Sequence, residues 1–305
     1  MLRIGNLKVF NAVRYVLLMN LIISIVGCAN VPKEREKEIT AEQAAAQAQQ
    51  SMIRGDNALR DGKSDKALYE YVSVLRWDPK NIEAYYKIGH VHEINHNLEP
   101  AEVSYLKVLE LDANHAGALE GLGLVLLRQG KREAAKQKLE RAIVLNSNSW
   151  RAHNGLGVIY DLNNDFSLAQ YHYLAALRAQ PRSVMLLNNL GYSRYLAGYW
   201  DSALAYFNQT LTIDPMNRRT WSNLGLLYVR MGNYTDATNA FGKVMDEPQA
   251  LNNVGYLCML EGKYNIAERF FRKAIRTSPS YYAVAYENLS LLKTSRNKTF
   301  ENNKR

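Results

Sequence analysis

The sequence predicts an all-α protein, a superhelical solenoid of about seven helix-turn-helix repeats with a carboxy-terminal capping helix. Three observations lead there. Gly55, Gly89, Gly123, Gly157, Gly191 and Gly225 follow one another at steps of 34 residues. Ala67, Ala101, Ala135, Ala169, Ala203 and Ala237 keep the same step. Between these two ladders lie Gly62, Gly130, Gly198, Gly232 and Gly262, with Asn164 in the same register. A fixed period of this size marks stacked supersecondary units, none of which can bury its apolar face alone.

Each recurring residue has a mechanical reading. The first glycine set sits where two antiparallel helices cross closely, with the alanines opposite, because only small residues let the backbones approach. Leu122, Leu156, Leu190, Leu224 and Val254 precede that glycine, and Tyr71, Tyr105, Leu139, Tyr173, Phe207, Phe241 and Phe271 recur on the second helix as core fillers. The second glycine set ends the first helix in the left-handed conformation that glycine, and next asparagine, tolerates. Pro79, Pro181, Pro215 and Pro279 end second helices, since proline has no amide donor. Asn81 and Asn217 then stand at the cap of the helix that follows.

The repeats therefore fall at 48–81, 82–115, 116–149, 150–183, 184–217, 218–247 and 248–281, with a further helix near Tyr282–Thr294. Thr40-Ala41-Glu42-Gln43 has the pattern of a capping box opening the first helix. The sixth repeat is four residues short, because Gly255 follows Gly225 by only 30. The expected consequence is a shortened join at Asp246-Glu247-Pro248 and a local break in the stacking.

The period and its signature resemble the tetratricopeptide repeat family. The resemblance implies that the first helix of each pair lines a concave groove and that the chain binds proteins and is not an enzyme. In that register Asn188, Asn189, Tyr192 and Tyr195 of the fifth repeat, Asn223 of the sixth, and Asn252, Asn253 and Tyr256 of the seventh project into the groove. Stacked asparagines resemble the ladder by which some such superhelices clamp an extended peptide, since a carboxamide both donates and accepts. The competing reading makes them inter-repeat residues of the scaffold. The amino-terminal repeats offer Tyr86, His90 and Glu120 there instead.

His92-Glu93-Ile94-Asn95-His96 matches the H-E-x-x-H spacing of zinc proteases. The repeat period runs straight through it, which puts His92 at a core position and His96 at the helix-ending position. The residues leave no room for a catalytic domain, and no cofactor or metal is expected.

The amino terminus has a different character. Arg3, Lys8 and Arg14 flank or precede the uncharged stretch Tyr15–Gly27, the layout of a secretory signal. Ile25-Val26-Gly27-Cys28 resembles the lipobox of bacterial lipoproteins, which implies a signal peptide over 1–27 and acylation of Cys28. Ala29 in place of an aspartate implies an outer-membrane address on the periplasmic face, held through the lipid anchor. Residues 28–39 are charged and read as a tether, 40–294 as the solenoid, and 295–305 as a basic disordered tail. Of the two cysteines Cys258 then has no partner in the chain, and its repeat position makes it a packing residue. The net charge of +9 is concentrated partly in Lys293–Arg305, and an exported chain of this kind is not expected to bind nucleic acid.

The segment Ala250-Leu251-Asn252-Asn253-Val254-Gly255-Tyr256, with Ala267-Glu268-Arg269-Phe270-Phe271-Arg272-Lys273-Ala274, Ser278-Pro279-Ser280-Tyr281-Tyr282 and Glu287-Asn288-Leu289, resembles the lipoproteins of the tight-adherence (Tad, or Flp pilus) secretion system. That resemblance covers the final third and implies a scaffold in pilus assembly, with proteins of the pilus apparatus, the secretin among them, as partners. Pilotins of type IV pili and periplasmic adaptors for peptidoglycan hydrolases and proteases remain as alternatives.

Overall fold

The computed structural model describes residues 40–302, and all its regular elements are α-helices. Two compact units are distinguished, Met1–Ala44 and Ala45–Arg305. Of the first, the described residues are 40–44. They hold the capping box: the Thr40 amide donates to Gln43 Oε1 at 3.0 Å and the Gln43 amide to Thr40 Oγ1 at 3.2 Å. The signal segment, Cys28 and the tether up to residue 39 lie outside the described residues.

The helices follow as seven pairs: α1 (Ala41–Arg60) with α2 (Ser64–Trp77), α3 (Ile82–Ile94) with α4 (Leu98–Leu111), α5 (Ala116–Arg128) with α6 (Arg132–Leu145), and α7 (Trp150–Leu162) with α8 (Phe166–Ala179). Then come α9 (Val184–Leu196) with α10 (Trp200–Ile213), α11 (Arg218–Arg230) with α12 (Tyr234–Gly242), and α13 (Glu247–Leu260) with α14 (Tyr264–Thr277). The last helix, α15 (Ala283–Asn302), packs on α14 and α13. It continues past Thr294, where the sequence reading placed a disordered tail. Residues 295–302 contain neither proline nor glycine, so no breaker stops the helix there.

The punctuation falls as predicted. Gly130 and Gly198 both have φ +79°, and the two substitutes, Asn164 and His96, take φ of 60° and 59°. α2, α8, α10 and α14 each end two residues before a proline. Asn81 accepts from the Ala84 amide at 2.8 Å and Asn217 from the Thr220 amide at 3.0 Å. The caps at Ser149, Ser183 and Asp246 repeat this, and His115 uses its Nδ1 for the same bond.

What occupies the space at the crossing glycines is a side chain of the second helix. A Cβ on Gly55, Gly89 or Gly157 would stand 2.4, 2.9 or 2.7 Å from the ring of Tyr71, Tyr105 or Tyr173. On Gly191, Gly225 or Gly255 it would meet Phe207, Phe241 or Phe271 at 2.7, 2.5 or 2.8 Å. In the third repeat Leu139 takes the ring's place against Gly123. These second-helix side chains are themselves buried, as are the ladder alanines beside them.

The first helices of neighbouring repeats touch one another from α3·α5 through α13·α15, while the second helices do not pack on each other to a comparable extent. The stack of repeats is therefore tighter on the first-helix side, which makes that side the inner face.

The missing residues of the sixth repeat come out of the second helix and not, as the sequence reading had it, out of the join. α12 has 9 residues where α2, α4, α6, α8, α10 and α14 have 14. The link from Lys243 to Asp246 is as long as the others, and Asp246 with Pro248 restarts the chain as a well-capped helix.

Gly191→Ala forces a methyl group against Phe207 and is expected to cost about 1–3 kcal/mol, as overpacking a filled core does. Gly242→Ala, where an added Cβ meets nothing within 4 Å, is the control. Thermal unfolding of the two variants checks this: the first midpoint falls and the second does not.

Candidate functional site

The inner face divides into two halves of different chemistry. In the second to fourth repeats it is crossed by ion pairs. Glu93, 2% exposed, accepts from Tyr105 Oη at 2.9 Å and pairs with Arg151 Nη2 at 2.5 Å, two repeats away. Arg151 also reaches Glu120 at 3.1 Å, and Ser149 Oγ donates to the same carboxylate. Arg128 Nη1 donates to the Glu93 carbonyl at 3.2 Å. Burial works against the Arg151 charge, but Glu93 and Glu120 outweigh it and hold the guanidinium above its ordinary range.

This network decides the H-E-x-x-H motif. Its sealed residue is Glu93, which carries structural bonds, whereas His92 is half-buried and not in the core as read from the sequence. His96 is exposed in a left-handed turn beyond the end of α3. Among the described residues no group of three or more His, Cys, Asp and Glu side chains converges as a metal cage.

From the fourth repeat onward, asparagines join neighbouring repeats. The residue two positions before the crossing glycine donates to the residue three positions before it in the preceding repeat. Asn189 Nδ2 donates to Asn154 Oδ1 at 2.9 Å, and Asn223 Nδ2 to Asn188 Oδ1 at 3.0 Å. Asn288 Nδ2 on α15 donates to Asn252 Oδ1 at 3.0 Å. Thr220 Oγ1 adds a bond to Asn188 Oδ1 at 3.1 Å. The sixth repeat has Ser222 at the accepting position, and Asn253 turns its amide to the sulfur of Met245 at 3.2 Å.

Of the eight residues singled out from the sequence, Asn188, Asn189, Asn223 and Asn252 are thus buried, between 2% and 9% exposed, with carboxamides bonded to adjacent repeats. Asn253, Tyr192 and Tyr195 are half-buried and Tyr256 is exposed. Tyr192 and Tyr195 stack with centroids 5.7 Å apart, and Arg230 Nε donates to Tyr195 Oη at 3.3 Å while its Nη1 pairs with Glu261 at 3.2 Å. This half of the inner face thus presents tyrosine rings beside one Arg–Glu pair. Cys258 is fully buried beneath it, and burial pushes its thiol up to about 11.

No sequence pattern singles out Arg151 or Asn154, and Asn288 stands out only within the segment that resembles the tight-adherence lipoproteins. The pattern that finds the asparagines is a carboxamide at both pre-glycine positions of successive repeats, which becomes visible only once the stacking register is known.

A buried histidine pair is likewise unmarked in the sequence. His153 Nδ1 lies 3.0 Å from His172 Nδ1, and His153 Nε2 lies 3.2 Å from the Ser147 carbonyl. A carbonyl only accepts, so His153 carries its proton on Nε2, and its Nδ1 accepts from His172. Burial first, and the adjacent His153 second, lower His172 to about 4. The unfolded chain takes up this proton near the ordinary value of about 6.5.

Between those values the unfolded state binds a proton that the folded state refuses. Stability present at neutral pH is therefore lost as pH falls from about 6.5 towards 4, at no more than about 1.4 kcal/mol per pH unit for this group. Thermal midpoints measured across that range are expected to fall, and His172→Gln is expected to flatten the slope. An unchanged slope in that variant contradicts the assignment.

Tetratricopeptide repeat profiles match residues 120–169 and 162–217, and further ones match 82–115, 219–246 and 248–281. Together they cover well over half of the 305 residues. The chain is 26% identical over 200 residues to superkiller protein 3 of Schizosaccharomyces pombe, which takes in 63% of this chain and 14% of that protein. It is 28% identical over 156 residues to the type IV pilus assembly protein PilF of Pseudomonas aeruginosa, 49% of this chain and 62% of that one. It thus spans less than two thirds of either relative.

Among solved structures, a tetratricopeptide repeat protein from Parabacteroides merdae superposes with a TM-score of 0.58 at 18% identity, covering 81% of this chain and 99% of that one. The structure of Pseudomonas aeruginosa pilF gives 0.53 at 17%, covering 83% and 99%. At these identities the likeness is one of fold. With the helix pairs, the crossing glycines and the profile matches in agreement, the chain belongs to the tetratricopeptide repeat family.

Proposed function

We propose that this protein is a non-catalytic scaffold of pilus assembly, tethered by an acylated Cys28 to the periplasmic face of the outer membrane. It holds a segment of the pilus apparatus, the secretin in the first place, against the inner face of its fifth to seventh repeats. The observation that carries the reading is the accessible tyrosine surface of Tyr192, Tyr195 and Tyr256, set on a half of the stack that buried amide pairs make rigid. Tyrosine supplies large contact area at small entropic cost. A preorganised surface binds without paying to order itself.

The resemblance of the final third to the tight-adherence lipoproteins supports the Flp pilus as the machine served. The similarity to the type IV pilus assembly protein PilF favours a second reading, the same work in a type IV pilus. No described helix is long and apolar enough to cross a membrane. In either reading the proposed attachment is the acylated Cys28.

Deleting the gene in its own bacterium tests this. Flp pili are expected to vanish from the surface under the electron microscope, and secretin multimers to drop in immunoblots of the outer membrane. Normal pili and multimers contradict the proposal, and loss of type IV pili alone selects the second reading.

A further inference from the structure

The short sixth repeat leaves a cleft on the side of the stack opposite the groove. α12 stops at Gly242, and its residues, Lys243 of the link and the facing residues of α14 bound this open space. The cleft measures 1170 Å³, ample for a ligand segment. Trp221, Tyr228 and Phe270 line it with apolar surface.

Its rim is basic. Arg269, Arg272, Lys273 and Arg276 line it from α14, joined by Lys243 from the link after α12, against two carboxylates, Asp236 and Glu247. The four α14 residues are spaced i, i+3, i+4, i+7, which sets them in one stripe about 10 Å long. Arg272 is bonded to Glu268 at 2.7 Å, and Lys243 Nζ stands 5.9 Å from the Trp221 ring. Arg269, Lys273 and Arg276 are exposed and have no ion-pair partner among the described residues. The comparably basic second helix α6 sets Glu133 and Glu140 among its cations, whereas α14 has Glu268 alone. Like charges one turn apart cost a helix stability, so the stripe is not explained by the fold.

We propose that this cleft binds an acidic segment of a partner protein, one that carries an aromatic side chain among its carboxylates. The carboxylates meet the guanidinium forks of Arg269 and Arg276 and the ammonium of Lys273. The aromatic anchor enters between Trp221 and Phe270. Arginines around buried aromatics are the composition in which binding energy concentrates. A flat anionic membrane reaches the rim but not the aromatic lining, which is why a peptide is the occupant. Since groove and cleft lie on opposite sides, both can be filled at once, and the protein can join two partners.

Fluorescence anisotropy of the full chain with a fluorescein-labelled peptide of alternating aspartate and glutamate around one phenylalanine tests this. A peptide with lysine in place of each acid is the control, with phosphatidylglycerol vesicles measured in parallel. The acidic peptide is expected to bind and the basic one not. Arg269→Glu with Lys273→Glu is expected to weaken binding about tenfold or more, and raising the salt to weaken it similarly. Replacing the phenylalanine by alanine is expected to cost about fivefold or more. Circular dichroism checks that the double variant folds. Should it not, Lys273→Gln is read instead, with an expected loss of about threefold. No binding of the acidic peptide, equal binding by wild type and variant, or binding of the vesicles alone overturns the proposal.

Discussion

In every helix pair a side chain of the second helix stands where a Cβ of the first would be. The distance an added Cβ would have to the nearest ring or leucine atom, between 2.4 and 2.9 Å at the seven crossings, leaves room for hydrogen and nothing more. That contact sets how closely the two helices of a pair lie. The pair spacing then sets where the next repeat can stack, and so how the inner face is spaced. Tyr105 makes the dependence explicit, because its ring also lies against Gly121 of the following repeat, where an added Cβ would come within 2.3 Å. One ring thereby joins two successive repeats.

On this common frame the two halves of the stack are held by different chemistry. The second to fourth repeats use charge: Arg151 spans two repeats to a sealed carboxylate, an arrangement whose loss of one partner leaves a charge uncompensated. From the fourth repeat onward neutral amide pairs do the same work at lower desolvation cost. The charged half fills its own inner face. The amide half sinks its polar groups between helices and leaves Tyr256 exposed and Tyr192 and Tyr195 half-exposed on its inner face. The tyrosine that closes a crossing can also tie the two together: Tyr173 Oη donates to Asp161, which accepts from Ser193 of the next repeat at 2.6 Å, and burial raises that carboxyl above its ordinary range.

The glycine and alanine ladders, the turn glycines with Asn164 and His96 among them, and the caps at Asn81 and Asn217 were all legible because each is a local steric or hydrogen-bonding requirement repeated at a fixed step. What stayed illegible depends on register between repeats. Asn188 and Asn223 read as a row facing a peptide, whereas stacking brings them within 3.0 Å of each other. Arg151 and Glu93 are 58 residues apart with no shared pattern. The length of the sixth repeat was plain from the glycines, but no proline marks the end of its second helix, so nothing local said that α12 and not the link would absorb the loss. His153 and His172 fall on different helices, His153 at a position where Leu119, Leu187 and Leu251 stand in other repeats, and no shared pattern links the two.

The surface proposed to carry the partner is that of Tyr192, Tyr195 and Tyr256 in the fifth and seventh repeats. A photo-activatable amino acid placed at Tyr256 in intact cells measures this directly, with Val144, 82% exposed on the second-helix side, as the comparison. A discrete crosslink to another envelope protein is expected from Tyr256 and none from Val144. Crosslinks of equal yield from both, or none from Tyr256, contradict it.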